Sequence, residues 1–177
     1  MAQETVDLTD EIAMMIETME QIKAKNVLWL KSFNNSLYKN IVKISTKLEK
    51  NKSKEKFVVE LSQDGNLNLL NKKKNKFFYS SGIFDLGDEI ATNIEEKIYK
   101  KITFDGTGLG THITSIIRMF KPKKVTIIEK ELQIFNSSLY VTDYEELNKI
   151  STIDFIIDKK YDLSKEKNII TIKNYIK

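Results

Sequence analysis

The chain has 177 residues, 41% of them hydrophobic and 31% charged, which is the composition of a folded protein with one core. Its net charge of +4 comes from lysines scattered among asparagines and isoleucines, so we expect no nucleic-acid partner. The sequence has no cysteine and a single histidine, which excludes disulfides, thiolate chemistry and cysteine or polyhistidine metal sites and leaves carboxylates and hydroxyls as candidate catalytic groups.

Two amphipathic helices are predicted first. Apolar residues recur at three- and four-residue steps from Leu8 to about Lys25 and again from Val27 to Lys50. No segment of the sequence has the ~20 apolar residues of a membrane-spanning helix, and the N-terminus lacks a basic segment followed by an apolar one. We therefore expect a cytoplasmic protein without membrane contact. The apolar stripes fit either internal packing or a homodimer, and the sequence does not separate these alternatives.

An antiparallel β-meander is predicted next, because apolar and polar residues alternate from Phe57 to Tyr79. The sequence Asp64-Gly65-Asn66 supplies its first tight turn. The lysine-rich run 72–76 falls at the second turn, where a solvated charge cluster is expected. A further helix is predicted from Ile83 to Ile98.

A βαβ unit follows the meander. A short strand, Lys101 to Asp105, leads into a turn with three glycines, and Thr111 to Phe120 then has helical spacing. Pro122 ends that helix, and Val125 to Ile128 is a second strand. Strands joined in this way are parallel, and the crossover is right-handed.

Additional strands at 153–157 and 168–172 bring the total to about four, enough for a small Rossmann-like sheet. The predicted fold class is therefore α/β, with an N-terminal helical segment and an antiparallel β-meander before a parallel βαβ sheet. We divide the chain into residues 1–100, helices plus meander, and residues 101–177, the Rossmann-like unit, which together form one compact domain.

The glycine turn is the candidate ligand site. Glycines between a strand and a helix let the backbone approach a ligand closely and expose helix N-terminal amides to a phosphate. An acidic residue at the end of the next strand is placed to hold ribose hydroxyls. The Gly-x-Gly-x-Gly spacing is closer to the turn of S-adenosylmethionine-dependent methyltransferases than to the Gly-x-Gly-x-x-Gly dinucleotide pattern. The candidate ligands are thus a nucleotide, a nucleotide-sugar or S-adenosylmethionine, bound by Asp105, Gly106, Gly108, Gly110, His112 and Glu129.

A purely structural interpretation of the same residues is equally open. The glycines then serve close packing of a helix on the sheet, Glu129 is an ordinary polar strand terminus, and His112 is a capping or packing residue. The sequence predicts no catalytic residue and no metal ligand.

Four segments, in order, resemble the N-terminal region of motility accessory factors, the bacterial flagellin glycosyltransferases that transfer nonulosonic acids such as pseudaminic or legionaminic acid. They are LWLKSFNNSLYKNIVKI, KFVVELSQDGNLNLLNKKKNKFFY, ITFDGTGLGTHITSIIRMF and VTIIEKELQIFNSSLYVTDY, and they cover most of residues 27–158. The resemblance implies a Rossmann-like N-terminal domain that precedes a separate glycosyltransferase domain in longer family members.

Because the chain ends at Lys177, it is expected to lack that catalytic region, and no family catalytic residue is carried over to it. The resemblance implies a noncatalytic domain whose partner is flagellin or the family's catalytic domain. The alternative is a small S-adenosylmethionine-dependent methyltransferase-like protein, so the question of enzymatic activity stays open at this point.

Overall fold

The computed structural model of the chain describes residues 8–62, 65–79 and 100–171. The predicted α/β class is confirmed: helices and an antiparallel sheet precede a parallel sheet. The predicted helix from Ile83 to Ile98 lies outside the described residues. The helices are α1 (Leu8–Phe33), α2 (Asn35–Lys50), α3 (Thr111–Phe120), α4 (Leu132–Ser138) and α5 (Tyr144–Ile150). The strands are β1 (Phe57–Leu61), β2 (Leu67–Asn71), β3 (Lys76–Phe77), β4 (Lys101–Asp105), β5 (Lys124–Glu129), β6 (Thr152–Ile157) and β7 (Ile169–Thr171).

The four-stranded sheet has the order β6-β5-β4-β7, with every pair parallel. Its core side chains, such as Phe104, Ile127 and Ile153, are fully buried because helices cover the apolar face of each strand. Strands β5 and β6 extend the sheet on one side of β4, and β7 lies on the other. The strand order therefore reverses at β4, and open α/β sheets bind ligands outside the carboxyl ends of the strands at such a point.

The predicted meander is present as the antiparallel sheet β1-β2-β3, in which Phe57 pairs with Asn71 and Leu61 with Leu67. Its second turn exposes the lysine-rich run, as the sequence predicts. The meander is joined to the rest of the fold through the Lys56 amide, which donates to Gln133 Oε1 of α4 at 2.8 Å.

Helix α1 is continuous to Phe33, so the helix break predicted between Lys25 and Val27 is wrong. The side chain of Asn26, which interrupts the apolar pattern there, is buried, and both its nitrogen and its oxygen form hydrogen bonds. Its Nδ2 donates to the carbonyl groups of Leu139 at 2.9 Å and Thr142 at 2.8 Å, and its Oδ1 accepts from the Tyr144 amide at 3.0 Å. Asn26 therefore joins α1 to the α4–α5 connection.

The break between the two N-terminal helices occurs at Asn34 instead. The Asn34 side chain accepts a hydrogen bond from the Leu37 amide at 3.0 Å and so caps the start of α2. The sequence places an asparagine at both positions, and only tertiary contacts decide which one ends a helix.

Charged and aromatic contacts add to the Asn26 connection. Lys25 Nζ lies 2.8 Å from Asp143 Oδ2 and 3.0 Å from Glu146 Oε1 at the start of α5. The ring of Phe155 in β6 packs edge-on against Trp29 and Phe33 of α1 at centroid distances of 6.2 and 6.3 Å. The second half of α1 is thereby fixed to the edge of the parallel sheet.

None of the helices within the described ranges has the length and apolar character needed to cross a bilayer.

Replacing Asn26 with alanine tests this connection. The substitution leaves two carbonyl groups and one amide buried without their partner, so we expect the free energy of unfolding to fall by about 3 kcal/mol. Urea unfolding of the full chain measures the change. Asn40→Ala, at an exposed position of α2, is the matched control and should change stability by about 0.5 kcal/mol or less. Equal effects of the two substitutions would contradict the role given to Asn26.

Candidate functional site

The glycine turn between β4 and α3 requires glycine for conformational reasons. The φ angles of Gly106, Gly108 and Gly110 are 101°, 49° and 84°, all in the left-handed region that other residues rarely adopt. The backbone alone therefore explains why three glycines lie within five positions.

Glu129, at the end of β5, is bonded to this turn. Its Oε2 accepts from both the amide and the hydroxyl group of Thr107, each at 2.9 Å, and its Oε1 accepts from the Glu131 amide at 2.9 Å. The side chain is buried. The sequence predicts that this carboxylate binds ribose hydroxyls. In the structure it accepts three hydrogen bonds from groups of the protein.

Other amides of the turn also donate to protein acceptors. The Gly106 amide donates to the Ile128 carbonyl group at 2.8 Å, and the Gly110 amide donates to that of Thr107 at 2.8 Å. The Leu109 amide donates to the Tyr79 hydroxyl group at 2.9 Å. Burial raises the pKa of Tyr79, so this hydroxyl group keeps its proton. Together with the two hydrogen bonds from Thr107 to Glu129, these bonds hold the turn in its conformation.

Gly110 also permits a close approach of the α4–α5 connection. A Cβ atom at this position would lie 2.9 Å from Thr142 Cβ and 3.0 Å from the Tyr144 hydroxyl group. The Thr142 hydroxyl group donates to the Leu109 carbonyl group at 2.8 Å, which holds the two segments together. The third glycine is therefore required by packing as well as by its φ angle.

His112 lies in the first turn of α3 and is fully buried. Its ring packs edge-on against Phe104 at a centroid distance of 5.6 Å, and neither ring nitrogen hydrogen-bonds to a described residue. Burial lowers the pKa of His112 to about 4, and the neighbouring Gly106 backbone offsets only part of this shift. At neutral pH the imidazole is uncharged and makes a packing contact.

The structure brings the six predicted site residues to one edge of the sheet. Asp105 ends β4 and is buried, in register with Thr171 of β7. Two other carboxylates near predicted strand ends lie elsewhere: Asp154 is exposed within β6 and lies 2.6 Å from Lys124, and Asp158 accepts from the Lys160 amide at 2.9 Å in the turn after β6. Ligand binding by the six residues stays a prediction.

Sequence reasoning missed Thr107, Tyr79 and Thr142, although all three hold the turn. Thr107 lies inside the glycine motif, so its hydroxyl group could have been predicted from the sequence as a hydrogen-bonding group of the turn. Tyr79 and Thr142 are distant in sequence, so only the fold shows their contacts. Over the described part of the chain, no three His, Asp or Glu side chains come together in a way that would hold a metal ion.

The sheet order and the glycine turn define a Rossmann-like α/β domain. Residues 85–159 match the family described as "Glycosyltransferase Maf N-terminal domain". The resemblance to the N-terminal domain of motility accessory factor (Maf) glycosyltransferases is thereby confirmed.

Comparison with solved structures agrees with this family match. The Maf glycosyltransferase from Magnetospirillum magneticum AMB-1 is similar with a TM-score of 0.62 and 12% sequence identity, which shows a shared fold. The alignment covers 80% of this chain and 28% of that chain. TYW2 from M. jannaschii, solved in complex with AdoMet, is similar at a TM-score of 0.35 and 18% identity, over 60% of this chain and 45% of that chain, and this value is too low to support an argument. No curated protein sequence matches the chain.

Gly110→Ala should destabilise the protein by about 3 kcal/mol, since the new methyl group meets Thr142 and also forces an L-residue into the left-handed region. Gly65→Ala is the matched control: its φ is 77°, but a Cβ there meets nothing within 4 Å. That control should cost only the backbone strain, about 1 kcal/mol. Urea unfolding of both variants separates packing from strain, and equal losses would contradict the packing role of Gly110.

His112 should make stability depend on pH. The pKa of the folded imidazole, about 4, lies below the unfolded value of 6.5, so the stabilisation is complete above pH 6.5 and is lost as the pH falls through about 4. The loss amounts to about 3 kcal/mol across this window. Urea unfolding at several pH values should show a smaller decrease for His112→Leu than for the wild type. His112 is the single histidine in the sequence, so parallel pH profiles of the two proteins would refute the assignment.

Proposed function

We propose that this chain is a noncatalytic Rossmann-like domain of a motility accessory factor. It acts in the transfer of a nonulosonic acid to flagellin by making protein contacts with flagellin or with the catalytic domain. The match to the Maf N-terminal domain and the fold shared with a Maf glycosyltransferase support this proposal.

The observation that carries the noncatalytic part is the internal hydrogen bonding of the glycine turn. A turn that binds a phosphate directs its amides at the ligand. Here the amides of Gly106, Thr107, Leu109 and Gly110 donate to acceptors of the protein, and the Glu129 carboxylate accepts three hydrogen bonds from it. These four amides are therefore used inside the protein.

The outer face of α1 is the contact surface that we propose. Met14 and Leu28, two large apolar side chains of this helix, are 65% and 70% exposed. They are separated by about four helical turns, so they lie on the same side of α1. The opposite side of the helix carries the buried side chains of Asn26 and Leu30, and Asn26 hydrogen-bonds to the α4–α5 connection.

Nucleotide or S-adenosylmethionine binding is the rival function, and one observation favours it. The glycine turn lies at the carboxyl end of β4, beside the point where the strand order reverses between β5 and β7. Ligands of open α/β sheets bind at that place.

Flagellin binding by the immobilised full chain tests the main proposal. We expect the double variant Met14→Lys/Leu28→Lys to bind flagellin at least about tenfold more weakly than the wild type, because two charges would enter an apolar contact. Met119→Lys, at a 55% exposed apolar position of α3, is the matched control and should bind like the wild type. Surface plasmon resonance measures all three.

Two results would contradict parts of this proposal. If the wild-type chain does not bind flagellin but binds the separately expressed catalytic domain of a longer family member, the flagellin contact is wrong and the interdomain contact is right. If calorimetry shows binding of S-adenosylmethionine, CMP or a CMP-nonulosonic acid that Gly108→Val abolishes, the turn is a ligand site and the noncatalytic proposal fails.

A further inference from the structure

A cavity of about 210 Å³ lies away from the glycine turn, between α1, α2, β1 and α4. Lys23, Leu48, Phe57 and Gln133 line it from these four elements, and Tyr140 lines it from the α4–α5 connection. The volume is below that of pockets for drug-sized ligands or nucleotides, so only a small molecule fits.

Lys23 is the unusual group in this cavity. The side chain is half-buried, and its Nζ donates to the Tyr140 hydroxyl group at 2.7 Å and lies 4.0 Å from the centre of the Tyr140 ring. Within the described residues, no carboxylate oxygen lies within 4.0 Å of this Nζ. An ammonium group has three donors, so this one has capacity for a further acceptor.

Tyr140 adds a second donor beside Lys23. Burial raises the pKa of Tyr140 to about 12, so the hydroxyl group is protonated at neutral pH. Because its oxygen already accepts from Lys23, its own proton is directed elsewhere. Lysine and tyrosine together thus offer two donors to one carboxylate.

Two acidic residues, Glu20 and Glu49, line the same cavity. Neither forms an ion pair with a described residue, yet both are near enough to oppose the decrease that burial causes in the pKa of Lys23. A third carboxylate, Glu55, is already bridged to Lys72 at 3.6 Å. Among the described residues, the cavity therefore presents Lys23 with unused donors, a second cation, Lys52, and two carboxylates that form no ion pair.

Much of the remaining wall is apolar or hydrogen-bonded within the protein. Leu48, Phe57 and Val59 supply apolar surface. Ser45 donates to Asn136 Oδ1 at 3.0 Å, which links α2 to α4 across the cavity wall. These contacts set the shape of the site before a ligand enters.

We propose that this cavity binds a small zwitterion with an apolar side chain, of the class of free α-amino acids. The ligand's carboxylate pairs with Lys23 and the Tyr140 hydroxyl group. Its ammonium group lies towards Glu20 and Glu49, and its side chain contacts Leu48 and Phe57. The proposal does not depend on the proposed function, since it uses none of the glycine-turn residues and none of the exposed residues of α1.

Isothermal titration of the full chain with three matched compounds tests the charge requirement. Leucine carries both charges, 4-methylpentanoate lacks the ammonium group, and 3-methylbutylamine lacks the carboxylate. We expect leucine to bind with a Kd of about 1 mM or tighter and the two analogues to bind at least about tenfold more weakly. Equal affinity for all three compounds would overturn the zwitterion assignment, as would the absence of binding by leucine, methionine and phenylalanine at about 10 mM.

Two substitutions test the residues. Lys23→Gln should weaken leucine binding at least about tenfold, whereas Lys31→Gln, at an exposed position of the same helix, should leave it unchanged. Tyr140→Phe removes only the hydroxyl group and should weaken binding about threefold to tenfold. Circular dichroism melting confirms that each variant is folded. Unchanged affinity in folded Lys23→Gln would overturn the proposed site.

Discussion

The buried carboxylate of Glu129 is the interaction on which the carboxyl edge of the parallel sheet depends. One side chain at the end of β5 accepts hydrogen bonds from Thr107 in the turn after β4 and from Glu131 at the start of α4. Charged acceptors that are buried must keep their donors, because an unsatisfied one is costly in a medium of low dielectric constant. One strand terminus therefore connects the turn before α3 with the start of α4, and the noncatalytic part of the proposed function rests on the use of this carboxylate inside the protein.

The sequence predicted much of the fold because its local signals are strong. The change from helical to alternating periodicity placed β1 and β2, and the glycines and Pro122 placed both ends of α3. The wrong prediction concerned Asn26. A polar residue in an apolar stripe resembles a helix end, but here it binds the α4–α5 connection, more than a hundred positions away. Pattern reasoning cannot see such a contact, since intrinsic propensity is weaker than tertiary hydrogen bonds to buried groups.

The same limit applies to the candidate sites. Spacing alone brought Gly106, Gly108, Gly110 and Glu129 to one sheet edge, since parallel strands end together there. Whether their polar groups face outward or inward depends on Tyr79 and Thr142, which come from other elements. The cavity around Lys23 had no signal in the sequence at all, because lysine and its tyrosine partner are 117 positions apart. The sequence thus predicted the backbone geometry, but it did not predict which partners the side chains bind.

Helix α1 forms its polar contacts with residues far along the sequence, and this has a consequence for synthesis on the ribosome. Lys23, Lys25 and Asn26 all bind residues that are 113 to 121 positions later in the chain. At about 5–20 residues per second, α1 emerges on the order of ten seconds before its polar partners are made. During that time α2, its neighbour in sequence, is already available to pack against it. The first helix to be translated is therefore among the last to complete its polar contacts.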